Sequence, residues 1–228
     1  MAAGGFMTDA GPGLDLERFF WEGGCGFVAG LDEAGRGAWA GPVVAAAVVL
    51  PPARPDLMAA LDGVRDSKRL APSRRQALRD LILRTALAAG VGSARHDEID
   101  RCGIVPATRL AMQRALGALG AVQPDALLID YLSLPETGLP QRHPAKAEDL
   151  SLSVAAASIL AKVVRDWYMV EIDDAYPGYG FARHKGYGTP EHYAALHRLG
   201  PAPIHRMRFR PVRAVVEGWA EQLELEDG

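Results

Sequence analysis

The stretch that most constrains the fold runs over residues 27–50. An apolar run (Phe27, Val28, Ala29, Leu31) delivers two adjacent carboxylates, Asp32 and Glu33. A glycine-punctuated turn with one arginine, Gly35-Arg36-Gly37, follows at once, and Gly41-Pro42 opens a second apolar run over residues 43–50. Side chains alternate between faces along a strand. The two acids are therefore expected to converge only where the strand ends and the backbone bends, which Gly35 and Gly37 permit. Paired carboxylates beside a fixed guanidinium suit a hard metal ion with a phosphate next to it. A solvent-facing hairpin turn is the plain alternative, since turns are rich in Gly and Asp. A dinucleotide loop is the sharper one, because Gly35-x-Gly37-x-x-Ala40 fits the permissive fingerprint with Asp56 at a suitable distance. That fingerprint requires a helix directly after the glycines. Val43, Val44, Val48 and Val49 are strand formers instead, so the dinucleotide reading fails on its own context.

A chain of 228 residues with 49% hydrophobic content can bury a sizeable core as one large domain. The two cysteines, Cys25 and Cys102, form neither a metal-spaced cluster nor a disulfide framework. Both are expected to be buried small hydrophobes in a cytoplasmic protein. No stretch approaches a membrane span. Residues 1–13 lack the features of a signal peptide and are expected to be a disordered lead-in. Residues 14–211 then form the main domain, with a basic C-terminal part, and residues 212–228 a last helix and acidic tail. The net charge of −3 carries no global nucleic-acid signature. Its distribution does: residues 183–210 hold six Arg/Lys against one acid, Glu191, together with four of the six histidines.

Periodicity predicts a helix over 14–21 with Leu16, Phe19 and Phe20 on one face, then strands over 27–32 and 43–50, the second buried on both faces. A helix started by Pro72-Ser73 and running through 74–89, with a stripe of Leu78, Leu81, Ile82 and Leu87, is followed by a strand over 91–96 and a helical turn over 97–101. Pro106 opens the next helix. Residues 126–130 read as a buried strand tipped by Asp130, and 132–142 as a proline-bearing loop. A long alanine-rich helix over 153–175 is capped by Ser151 or Ser153. A basic loop over 183–188 precedes a helix with Thr189 as cap and Pro190 at its first position, and a last helix spans 212–223. The pattern is a mixed α/β sheet flanked by helices. Asp32, Glu33 and Asp130 then fall beyond the carboxyl ends of strands, where such sheets hold their sites. Three acids gathered there repel one another unless a cation neutralises them.

Five blocks together resemble bacterial ribonuclease HII, the type 2 ribonuclease H family. They are Gly30 to Gly37, Asp66-Ser67-Lys68, Leu128-Ile129-Asp130-Tyr131, Ala156 to Asp166, and His184-Lys185-Gly186-Tyr187-Gly188-Thr189. Their order and spacing agree from about residue 25 to 212. The resemblance implies an RNase H-like fold with a helical C-terminal part. It also implies a metal-dependent endonuclease of ribonucleotide excision repair, cutting the RNA strand of RNA–DNA hybrids and 5′ of single ribonucleotides in duplex DNA. The products would carry a 5′-phosphate and a 3′-hydroxyl.

Carried over residue by residue, Asp32, Glu33 and Asp130 match three of the family's four carboxylates. The fourth departs from the pattern: Lys146-Ala147-Glu148 stands where the family has Lys-Gly-Asp. Spacing favours Glu148 over its neighbour Asp149, while a pair of acids near a helix start, favoured by its dipole, is the structural alternative. Glu148 is also the one feature in favour of a catalytically weakened hybrid-binding protein. Oxygen-only ligands select Mg²⁺ or Mn²⁺ over zinc, and two such ions held by shared carboxylates can hydrolyse a phosphodiester. Gly35, Arg36 and Gly37 would read the ribose 2′-hydroxyl, the group that distinguishes RNA from DNA, and Tyr187 would stack at the RNA–DNA junction. Lys68, Ser158, Lys162, Arg183 and Lys185 are candidate phosphate contacts, which position a duplex without reading its sequence. His184 and His205 are read as structural or phosphate-contacting rather than metal ligands. Residues 16–20 and 222–225 partly match sliding-clamp-binding peptides, but neither completes the motif, and amphipathic helix ends are the preferred reading. A monomer is expected.

Overall fold

The computed structural model describes residues 11–65 and 70–226, with side chains described as far as residue 218. Helix α1 (Asp15–Glu22) precedes strands β1 (Val28–Ala34) and β2 (Val43–Val49) and the short α2 (Leu57–Ala60). Next come α3 (Pro72–Thr85), β3 (Ala88–Ala94), α4 (His96–Cys102), α5 (Ile104–Gly117), β4 (Ala126–Ile129) and the two-residue β5 (Gln141–Arg142). A 3-10 turn (Ala147–Asp149) leads into α6 (Leu152–Glu171), and α7 (Phe181–His184), α8 (Pro190–Leu199) and α9 (Arg210–Glu226) form a helical C-terminal part.

The strands make one mixed sheet in the order β3-β2-β1-β4-β5. β2 is antiparallel to both neighbours, whereas β4 is parallel to β1 and to β5. Alternation along the strands separates two cores. Ala34, Ala46 and Val48 face α3 and α6, where they meet Leu78, Ile82, Ala156 and Leu160. Leu31, Ala45, Ala47 and Val49 face α5, against Ala107, Ala111, Met112 and Ala115. Each buried Leu, Ile or Met contributes about 1.5–3 kcal/mol. β2, apolar at every position, is buried on both sides as expected.

Missing side chains set the layer spacing. A Cβ on Gly30 would lie 2.3 Å from the Ser153 backbone, and one on Gly90 would lie 2.2 Å from the Ala115 carbonyl oxygen. These glycines let α6 and α5 lie directly on the sheet. Gly90 explains one departure from the sequence reading. It belongs to β3, so α3 ends at Thr85 rather than at 89, the strand starts earlier than 91, and Leu87 is exposed instead of completing a stripe. β5 was not anticipated, because a two-residue strand between prolines carries no apolar run.

Other expectations need correction. Cys102 is exposed and Cys25 half-buried; the Cys102 thiol donates to the Glu98 carbonyl at 3.0 Å. On α1 it is Glu17 and Phe20 that are buried, while Phe19 is exposed beneath the Arg142 guanidinium, 3.7 Å from its ring centre. Glu17 Oε1 accepts hydrogen bonds from the Ser151 and Ser153 hydroxyls at 2.6 and 2.7 Å and from the Ser153 amide at 2.9 Å. Gly13, the last residue of the expected lead-in, is fixed to the same place, its carbonyl accepting from the Leu152 amide at 2.8 Å. Residues 1–10 and the Asp66-Ser67-Lys68 block lie outside the described residues. Among the described residues no helix is long and apolar enough to cross a membrane.

Candidate active site

β1 is paired unequally on its two sides. With β2 the ladder continues through Asp32↔Ala46 and Glu33↔Ala45 to Ala34↔Val44. With β4 it stops at Leu31↔Ile129, and the Asp130 amide adds one further bond to the Leu31 carbonyl at 3.2 Å. Asp32 and Glu33 therefore lie inside a strand, not beyond its end as the sequence suggested. The bend that was expected to gather them is replaced by the stopping point of β4. The pleat starts Asp32 on the α6 side and Glu33 on the other. Just past Asp130 the chain turns away sharply, with Tyr131 in the left-handed region at φ 59°.

Three elements bear on Asp32. It is almost fully buried, and its Oδ1 accepts from the Glu33 amide at 2.7 Å. The Ser158 hydroxyl, on the buried face of α6, hydrogen-bonds to it. Burial, followed by the neighbouring charge of Glu33, holds the Asp32 carboxyl well above its ordinary range; Asp130 adds to the push, and the Ser158 bond opposes it. α6 is aimed here by its cap: Ser151 Oγ accepts from the Val154 amide at 3.2 Å, and the alanines after it allow close approach to β1.

Asp130 Oδ1 accepts from the Ala147 amide at 2.8 Å, joining the tip of β4 to the 3-10 turn at 147–149. Lys146 enters that turn in the left-handed region at φ 58°. Within it Glu148 is buried and Asp149 half-buried. Glu33 Oε1 is tied to Arg36 Nη1 at 3.1 Å. The donor set is all oxygen, and its central member is desolvated and pressed by two like charges, an arrangement that a divalent cation relieves. Among the described residues no group of three or more His, Cys, Asp or Glu side chains stands in a metal-holding arrangement.

Two buried arginines that the sequence reading gave no role organise the loop after β1. Arg206 donates to the carbonyls of Gly35 (2.7 Å), Arg36 (2.8 Å) and Gly41 (3.0 Å). Burial lowers its pKa to about 9. In a trans peptide the carbonyl and the following amide point in opposite directions. Turning the carbonyls of 35 and 36 inward therefore turns the amides of Arg36 and Gly37 outward. Arg165, from α6, donates to Pro42 O (2.9 Å), Ala40 O (3.2 Å) and Lys185 O (3.0 Å).

The loop carrying Tyr187 is fastened alongside. The amides of Trp39 and Ala40 both donate to the Gly186 carbonyl, at 2.8 and 3.3 Å. The Tyr187 ring lies 5.1 Å from the Arg165 guanidinium carbon and 5.3 Å from Lys162 Nζ. Lys162 also pairs with Asp166 at 2.6 Å, which in turn meets Arg75 at 3.3 Å. Lys185 sits in the left-handed region and donates to the Ala182 carbonyl, and exposed Arg183 pairs with Glu191. The histidines of the basic stretch turn inward: His192 and His205 share a 3.0 Å Nε2–Nε2 contact, and His184 Nε2 bonds the Tyr179 carbonyl at 2.8 Å. Arg206 is equally buried, so this stretch is only partly the basic surface that its charge count suggested.

A mixed sheet whose adjacent parallel strands bring acids together beneath one covering helix belongs to the RNase H-like class of nucleases. The sequence matches the family described as Ribonuclease HII over residues 29–212. It is 56% identical over 197 residues to a Ribonuclease HII of Thermus thermophilus, covering 86% of this chain and 92% of that one. The structure matches ribonuclease H2 from Pyrococcus horikoshii OT3 with a TM-score of 0.71 at 26% identity, over 85% of this chain and 99% of that one. It also matches a chain of the PCNA:RNase HII complex from Archaeoglobus fulgidus, with a TM-score of 0.69 at 27% identity over 82% and 96%. The chain belongs to the ribonuclease HII family and is a ribonuclease H endonuclease. Its family depends on divalent metal ions.

Proposed function

We propose that this enzyme hydrolyses the RNA strand of RNA–DNA hybrids and cuts 5′ of single ribonucleotides in duplex DNA, leaving a 5′-phosphate and a 3′-hydroxyl. Asp32, Glu33, Asp130 and Glu148 are the proposed ligands for two Mg²⁺ or Mn²⁺ ions. The observation that carries this reading is the charge interaction between Asp32 on β1 and Asp130 just past the tip of parallel β4, with the Glu148 turn bonded to Asp130. Burial of Glu148 beside a more exposed Asp149 favours Glu148 as the fourth acid. When bound, the ions would activate a water, stabilise the phosphate in transit and stabilise the leaving oxygen.

The remaining roles belong to the chain itself. Ser158 orients the Asp32 carboxylate. The outward amides of Arg36 and Gly37 donate to the ribose 2′-hydroxyl, which a deoxyribose lacks. Tyr187 offers an aromatic face for stacking, and Lys162, Lys185 and Arg183 carry positive charge toward the phosphates. A clamp partner, if the 222–225 segment supplies one, is tested by clamp pull-down with and without residues 222–228; in the 16–20 segment Glu17 and Phe20 are already buried. Work on genomic duplexes fits the cytoplasm.

An end-labelled DNA duplex carrying one ribonucleotide, incubated with Mg²⁺ or Mn²⁺, tests the reading. A metal-dependent cut 5′ of the ribonucleotide is expected. A duplex and a hybrid that are both bound tightly and both left intact would establish the weakened hybrid-binding protein instead.

A further inference from the structure

Arg165 is fully buried, yet the three oxygens its guanidinium meets at 2.9–3.2 Å are all backbone carbonyls. Two of them, Ala40 O and Pro42 O, belong to the loop after β1, and the third, Lys185 O, belongs to the loop that carries Tyr187. The side chain also fills the space beside Gly35, where a Cβ would come within 1.9 Å of its Nε. One planar group of five donors thus ties two loops that are distant in sequence to α6, and the Tyr187 ring lies over it. A lysine carries its three donors on one nitrogen at the end of a flexible stem, whereas these carbonyls are met by three different guanidinium nitrogens.

We propose that Arg165 is a positioning residue: it sets the spacing between the 35–37 backbone and Tyr187, so that the ribose and the adjoining base pair are read as one unit. The inference rests on the reading of these two loops as substrate contacts. Arg206 orients the peptide planes of the first loop, and Arg165 fixes where that loop stands relative to the second. Contacts to the neighbouring loop reinforce the clamp. Gly188 packs on Trp39 so closely that a Cβ there would lie 2.2 Å from the indole.

The test is a double-mutant cycle on the single-ribonucleotide duplex, using Arg165→Lys, Tyr187→Ala and both together, with KM and kcat measured separately. Each single change is expected to raise KM about tenfold while kcat stays within about threefold, and the pair is expected to cost less than the product of the two. A wild-type KM in Arg165→Lys, or effects that multiply, overturns the proposal. A wild-type KM in Tyr187→Ala shows instead that the tyrosine loop does not meet substrate, which removes the underlying reading and the proposal with it. Should Arg165→Lys fail to fold by circular dichroism, Arg165→Gln decides, because its amide keeps one donor group and loses the planar fork that reaches both loops. The same KM rise sustains the proposal, and an unchanged KM overturns it.

Discussion

The Ala147 amide donates to Asp130 Oδ1 across 2.8 Å, fastening the tip of β4 to the turn that carries Glu148. Two acids well separated in sequence are thereby held by one backbone contact. The start of α6 adds rigidity on the far side, since Ser151 and Ser153 are locked to buried Glu17. The carboxylate set is therefore built on the interior of β1, the tip of β4 and a 3-10 turn pinned to that tip, which hold geometry better than a free loop.

Ser158 is expected to tune the pH response. Its hydroxyl favours the ionised form of Asp32 against burial and like charge. Ser158→Ala should move the acid limb of the kcat/KM profile to higher pH. Activity at about pH 6 should fall several-fold while activity at about pH 8.5 stays within about twofold. A pH profile that superimposes on wild type contradicts the assigned contact.

The paired imidazoles predict acid instability. Burial lowers both His192 and His205 to about 4, below the unfolded value of 6.5. In that window the unfolded chain binds more protons, so their contribution is complete above about pH 6.5 and is lost as pH falls toward 4. Asp32, raised by burial, works in the opposite direction. Urea midpoints from about pH 7.5 to about pH 4.5 should fall in wild type and fall less steeply in His205→Gln. Equal slopes would remove the imidazoles as the cause.

The four longer strands, the long helix and the positions of the acids at 32, 33 and 130 could be read from the sequence because each leaves a local signature. An apolar run ends in a carboxylate, or alanines follow a serine cap. Arg165 and Arg206 leave none. Their partners are backbone carbonyls far away in sequence, so Arg165 reads as one more charge on a helix and Arg206 as one of six in a basic stretch. The inward turn of His192 was hidden in the same way, while His184 and His205, read as structural or phosphate-contacting, are buried and hydrogen-bonded. The placement of Asp32 within β1 was missed for a different reason. A strand ends at different residues for its two neighbours, and only the β4 side stops where the apolar run does.

Arg206 should matter to folding as well as to the loop. Arg206→Ala removes the donor from the Arg36 and Gly41 carbonyls and leaves the Gly35 carbonyl only the Ala38 amide at 3.3 Å, and a buried carbonyl left unmet costs about 1–3 kcal/mol. A fall of several kcal/mol in unfolding free energy by urea titration, with unchanged m, is the expected result. Arg206→Lys should recover part of it, because a single ammonium reaches only some of the three oxygens. Full stability in Arg206→Ala would contradict the bonding described.

Gly30 should tolerate no side chain. Its added Cβ meets the Ser153 backbone at 2.3 Å, and a helix main chain cannot yield as a flexible side chain does. Gly30→Ala is expected to cost about 1–3 kcal/mol or more and to shift α6, with Ser158, away from Asp32. Thermal melts together with the Mn²⁺ dependence of cleavage check both effects.

Asp130 and its neighbours are proposed to hold the divalent ions that drive cleavage. Asp130→Asn keeps the acceptor for the Ala147 amide and removes only the charge. Mn²⁺ binding by calorimetry and cleavage of the single-ribonucleotide duplex should therefore be measured side by side in wild type and Asp130→Asn. The prediction is a folded variant with weakened Mn²⁺ binding and cleavage reduced at least about a hundredfold. Wild-type cleavage with unchanged metal dependence in Asp130→Asn would contradict the account.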